Sequence, residues 1–120
     1  MAIVKSNSSL VAAATTVGPA APVTATEWNL TALLSGRVVG KITNGASAPV
    51  TTAPLVIFYA GETATTKREI GRMSGDFTVN SVTTIQFNVP KEYPFFNVTI
   101  TGGGTNGCTW ELMGFGFTGP

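Results

Sequence analysis

Short runs in which bulky and polar side chains alternate, each cut off by Gly, Pro, Asn or Asp, recur along most of this chain. No stretch carries the apolar spacing of an amphipathic helix. Alternation of period two puts successive side chains on opposite faces of a strand, so the pattern predicts an all-β protein. Ile85, Phe87 and Val89 alternate with Gln86 and Asn88 until Pro90 stops the ladder, and Phe96, Val98 and Ile100 alternate with Asn97 and Thr99. Upstream, Trp28, Leu30, Ala32 and Leu34 would share one face of a core strand while Asn29, Thr31 and Leu33 take the other.

The punctuation predicts how these strands connect. Ser35-Gly36 reads as a turn into a strand over Arg37 to Thr43, and Asn44-Gly45 as a tight turn built on positive φ angles. Between Ala46 and Pro54, two prolines among Ser and Thr deny a full hydrogen-bond ladder, which predicts a connection crossing between sheets or skirting an edge. Leu55 to Ala60 is continuous and bulky, as in a strand packed centrally in a sandwich, and Lys67 to Met73 reads as a partly exposed strand ending at Ser74-Gly75-Asp76. Gly102 to Gly107 reads as the tip of a hairpin joining the last two strands. About eight strands over residues 26–118 suffice for two antiparallel sheets packed face to face, and a jelly roll is the preferred form. An immunoglobulin-like sandwich is second, because the Cys, Trp, Cys spacing is absent. Residues 1–25, rich in Ala, Thr and Pro, read as an extended N-terminal arm, leaving residues 26–120 as the β-sandwich domain.

Charged residues make up 11% of the 120-residue chain, against roughly a quarter in an ordinary soluble domain. Histidine is absent and the net charge is +1. Catalysis near neutral pH recruits tuned titratable groups, and a weakly charged exterior does little to hold copies apart, so the composition favours contact over chemistry. With Cys108 alone, neither an intrachain disulfide nor a cysteine-based metal cluster is available, and a reduced, buried thiol is expected. The longest apolar stretches, around Leu10 to Ala14 and Leu55 to Ala60, are too short to span a bilayer, so a soluble protein with no membrane partner is expected. Lys5 before the Leu10 run invites comparison with a secretory signal, but the run is short and threonines follow it. The sequons at Asn7, Asn29 and Asn97 matter only in a secreted protein.

No constellation dictates a reaction. The six carboxylates, Glu27, Glu62, Glu69, Asp76, Glu92 and Glu111, show no spacing that marks an acid/base pair, although strand alternation would point Glu111, between Trp110 and Leu112, toward a partner. The glycine cluster lacks the lysine of a phosphate-binding loop and precedes a strand instead of a helix. Lys67, Arg68 and Arg72 form the one basic cluster; Glu69 interrupts it, which favours a solvated strand or an inter-subunit ion pair over nucleic acid. No cofactor is implied. At the end, Gly114-Phe115-Gly116-Phe117 sets two large rings among residues offering almost no cover, as in an interface anchor.

The Thr-, Ala- and Gly-rich start, Arg37-Val-Val-Gly-Lys-Ile-Thr-Asn-Gly45 before a Pro-rich crossover, and Phe96-Asn-Val-Thr-Ile100 leading to a glycine tip and a Trp110-Glu-Leu strand together resemble small structural proteins of tailed bacteriophage particles. Within that group the chain is most similar to the jelly-roll cement or decoration proteins that stud capsid shells. The resemblance lies in style and strand layout over nearly the whole length. It implies a noncatalytic virion protein, made in the bacterial cytoplasm, that binds the major capsid protein on the capsid exterior as dimers or trimers and braces joints between capsomers. An arm such as Ala2 to Pro22 would then add a strand to a neighbour's open sheet edge. The expected interface residues are Ile3, Val4, Leu10, Val11 and Val17 on the arm, with Arg68, Arg72, Phe115 and Phe117 on the domain. Two other readings share the fold: a tail, collar or fibre-associated module, and a carbohydrate-binding sandwich in which exposed Trp28, Tyr93 or Trp110 stacks on sugar rings.

Overall fold

A computed structural model of the chain describes residues 4–18, 22–31, 33–45, 53–76, 78–90, 92–103 and 108–118. Among them are nine strands and no helix: β1 (Val4–Val17), β2 (Pro22–Thr24), β3 (Trp28–Asn29), β4 (Leu33–Asn44), β5 (Leu55–Gly61), β6 (Arg68–Ser74), β7 (Val82–Val89), β8 (Phe95–Thr101) and β9 (Cys108–Thr118). They form two antiparallel sheets, β1-β9-β4-β7 and β2-β8-β5-β6, with β3 also paired to β8. Since β2 and β3 both pair with β8, they act as two pieces of one broken strand. Successive strands then pass from one sheet to the other at every step except the β5-β6 hairpin, which is the winding of a jelly roll.

Alternation places the core. β8 buries Phe96, Val98 and Ile100, β5 buries Val56, Phe58 and Ala60, and β9 buries Cys108, Trp110 and Leu112. Rings from both sheets meet in the middle: Phe58 stacks on Phe87 with centroids 4.2 Å apart, and Phe96 lies 6.2 Å from Phe58. Trp28 crosses from β3 to the opposite sheet. A Cβ added to Gly114 would stand 2.9 Å from three atoms of its indole, and one on Gly36 would stand 2.6 Å from Leu30 and 3.2 Å from the same indole. Those two glycines are therefore required by close approach, and neither has a positive φ.

Several sequence expectations are corrected. Val4–Val17 is extended, but it is the edge strand of its own sandwich, paired with β9 from Val4↔Thr118 to Val17↔Cys108. The boundary expected after residue 25 therefore falls inside the fold; β9 offers an open side, and the chain's own start fills it. The Glu27 to Leu34 strand is only the two residues of β3, because Asn29 Oδ1 accepts hydrogen bonds from the Thr31 amide (3.0 Å) and hydroxyl (2.6 Å) and turns the chain. β4 then continues through Ser35-Gly36, with a register shift against β9 between Leu33 and Ser35. The last two strands form no hairpin: β8 pairs with β5 while β9 lies in the other sheet, so the glycine-rich segment is a crossover whose residues 104–107 lie outside the described ones. Gly102, at its start, packs against Gly18, whose carbonyl oxygen would be 2.0 Å from an added Cβ. Asn44 provides no positive-φ turn. It is buried and its amide reaches the carbonyl oxygens of Asp76 (2.6 Å) and Thr78 (3.0 Å), bracing the loop before β7.

The Trp28 slot yields a direct test. Gly114→Ala is expected to lower the unfolding free energy by about 1–3 kcal/mol through overpacking. In a Trp28→Phe background, whose smaller ring leaves room, most of that added cost should vanish, as urea denaturation of the single and double variants will show.

Candidate protein-interaction face

The inward glycines of β9 decide what stands outside. Gly114 and Gly116 are buried, so Met113, Phe115 and Phe117 line the outer face of the β1-β9-β4-β7 sheet, where Phe115 and Phe117 are each 42% exposed. β4 adds Val39, directly opposite Met113, and Arg37, opposite Phe115. At the β7 edge Val82, 58% exposed, is the most exposed large hydrophobic residue among the described residues. Flanking positions are polar and uncharged: Asn7 and Ser9 stand opposite Phe115 and Met113 on one side, Gln86 and Asn88 opposite Val39 and Arg37 on the other. Two shallow grooves run along this face. One, of about 460 Å³, is lined by Val11, Val39, Val82, Met113 and Phe115 among others; the second, of about 550 Å³, lies between Arg37, Asn88, Phe115 and Phe117. An apolar strip with a polar border is the anatomy of a protein contact surface.

Charged groups on the face are held by local contacts, one by a counter-charge and one by a neutral amide. Lys41 Nζ lies 3.4 Å from Glu111 Oε1, and Arg37 donates to Gln86 Oε1 at 3.0 Å. On the opposite sheet Arg72 holds Glu69 through two hydrogen bonds of 2.8 and 2.7 Å, which lower the Glu69 carboxyl pKa below its ordinary value and raise that of Arg72. Lys67 pairs with Glu27.

The expected interface residues do not gather in one place. Phe115 and Phe117 are on the outer face, and partly buried Val11 lines the same groove as Phe115. Leu10 and Val17, at 4% and 0% exposure, belong to the core and are unavailable to a partner, because the segment that carries them is a strand of the sandwich. The backbone of Val4 pairs with Thr118, and Ile3 lies outside the described residues. Arg68 and Arg72 are on β6, the edge of the other sheet, and Arg72 is engaged by Glu69 within the chain. Val39, Val82 and Met113 were missed, although the inward alternation of Trp110 and Leu112 already assigns Met113 to the other face. Glu111 does point outward, but to Lys41.

Other chemistries find little support in the geometry. Trp28 and Trp110 are buried and Tyr93 packs against the core, so neither tryptophan presents a ring to a sugar. Among the described residues no group of three His, Cys, Asp or Glu side chains gathers to hold a metal. Cys108 is buried, and that burial raises its thiol pKa above the ordinary value.

No protein-family description and no curated protein matches this sequence. Solved structures do. One from infectious bursal disease virus, Gx strain, superposes with a TM-score of 0.58 at 12% identity, covering 97% of this chain and 32% of that one. The PBSX exported protein XepA gives 0.60 at 9% identity, with 96% and 38% covered. The SPBc2 prophage-derived protein YomS gives 0.51 at 13% identity, with 98% and 96% covered. The chain thus spans about a third of the length of the first two and nearly all of the third. At such identities the likeness shows the shared sandwich fold.

Two expectations follow. Phe115→Thr and Phe117→Thr should each cost about 1–2 kcal/mol of stability, less than a core Phe truncation, because each ring is only partly covered and Thr keeps the strand preference; denaturant melts and reduced binding of a hydrophobic dye will register this. Cys108, short of thiolate and shut away, should react at pH 8 with a thiol reagent at least about 100-fold more slowly in the native protein than in urea.

Proposed function

We propose that this protein is a noncatalytic structural component of a virus particle. It acts as a cement or decoration protein that docks on the outside of a bacteriophage capsid and braces joints between copies of the major capsid protein. The observation that carries this reading is the apolar outer face of β9, with Phe115 and Phe117 both well exposed on a strand in the middle of a sheet. A side chain left there in water gains its free energy only when another surface covers it. Few charges and no histidine fit a surface selected for contact. The viral and prophage-derived structures of the same fold support a virion setting. Each copy needs only a modest contact area, because attachment to two or three shell subunits at once raises the effective concentration of the second contact.

The test is binding of the purified protein to expanded shells that lack it. Saturable binding at a fixed ratio to capsid subunits, with raised resistance of the shell to heat, is the expected result. Phe115→Thr/Phe117→Thr should weaken it by about tenfold or more, the loss typical of buried aromatic anchors. Absence of binding to shells, or recovery of the protein only with tails at a few copies per particle, overturns the assignment to the capsid.

A further inference from the structure

An open sheet edge offers unpaired N–H and C=O groups to any extended chain, and native proteins blunt such edges with charge, proline, bulges or brevity. The sandwich ends in four edges, β1 and β7 in one sheet and β2 and β6 in the other. Three are guarded. β1 has two register shifts, between Ser9 and Val11 and between Val11 and Thr15, and Ala14 inside the second has a φ of 57°. β2 is three residues long and begins with Pro22. β6 is irregular beside Phe58 and Tyr59 and displays Arg68, Glu69 and Arg72.

β7 carries none of these devices. Its eight residues, Val-Thr-Thr-Ile-Gln-Phe-Asn-Val, include no charge, proline or glycine, and their register with β4 is unbroken from Thr43↔Val82 to Gly36↔Val89. Among the described residues no strand or loop hydrogen-bonds to its far side. We infer that β7 is the edge at which two copies of this chain join, antiparallel about a two-fold axis, fusing two four-stranded sheets into one of eight.

A second copy fits this edge for reasons of pairing chemistry. Two-fold pairing sets the strand against its own reverse. With the axis at residue 85 or 86, Thr84 of one copy stands opposite Gln86 or Asn88 of the other, so uncharged hydrogen-bonding side chains meet and no like charges are opposed. Val82, left 58% exposed at the end of β7, gains a neighbour across the axis when the centre is at 85. Pairing in one plane also leaves both Phe115-Phe117 strips on the same side of the fused sheet, giving a doubled apolar face. The inference does not depend on what that face binds, since the dimer is measured in the absence of any shell.

The experiment is sedimentation equilibrium of the full chain over a concentration series. Wild type should dimerise. Thr84→Lys/Asn88→Lys and Thr84→Glu/Asn88→Glu should each weaken self-association by about tenfold or more, because like charges then stand directly opposite each other with the axis at 86 or diagonally across it with the axis at 85, with thermal unfolding confirming that both variants stay folded. Mixing the two variants should restore a dimer, which damage to the fold alone would not do. A wild type that stays monomeric at its highest soluble concentration overturns the inference. So does a dimer untouched by the β7 charges, or one abolished instead by Phe115→Thr/Phe117→Thr.

Discussion

The indole of Trp28, seated on Gly36 and Gly114, sets much of the rest of the structure. It spans the sandwich from β3 to the β4-β9 pair, so the sheets can approach at that end only if the two positions beneath the ring lack side chains. That demand fixes glycine at position 114 of β9, and alternation then turns Met113 and Phe115 on either side of it outward. Glycine is a poor strand former, and aromatic neighbours restore the preference for extended backbone. Gly114-Phe115-Gly116-Phe117 is therefore one solution to two problems: Gly114 admits Trp28 to the core, and the phenylalanines hold the strand and supply an apolar exterior. The candidate interface is the reverse side of a packing constraint.

How much of this was legible in the sequence depended on the range of the interactions involved. β7 and β8 could be read because alternation within one strand needs only the distinction between a wet and a dry face, β5 because its run of bulky residues is unbroken, and β6 because its charges sit between turn residues. The crossover after β4 was also readable, since two prolines remove ladder donors wherever they sit. Pairing partners were not. β8 and β9 adjoin in sequence yet lie in different sheets, because the open side of β9 is taken by β1 and β4, segments far away in the chain. β1 escaped notice because an edge strand with two register shifts breaks its own alternation: Leu10 and Val17 are both buried, seven positions apart, across a bulge that shifts the parity. At Asn44-Gly45 and Ser35-Gly36 the residue types of turns serve other ends, the buried amide bracing a loop and the glycine making room for an indole.

The electrostatics of the surface bear on how such a protein would find and hold a partner. Lys41 with Glu111, Arg72 with Glu69 and Lys67 with Glu27 pair within the chain, leaving little field to reach beyond a Debye length. Exposed pairs of this kind add little stability. Their effect is to neutralise the surface, so that association rests on apolar area and backbone pairing instead of long-range steering, and salt should influence it weakly. The shared sandwich with viral and prophage-derived structures is compatible with that mode of contact without dictating it.

Placing β9 between β1 and β4 has a temporal consequence. Synthesis delivers β1 first and β9 last of the described strands, so the residues of the leading strand must wait for partners about 90 to 115 residues downstream. Through that interval its ladder groups are bare, the state in which nascent chains aggregate. A segment of Ser, Asn, Thr and Ala with only scattered aliphatic residues survives such a delay where a greasy one would not. The blandness that makes Val4–Val17 look like a tail is what a strand destined to pair late requires.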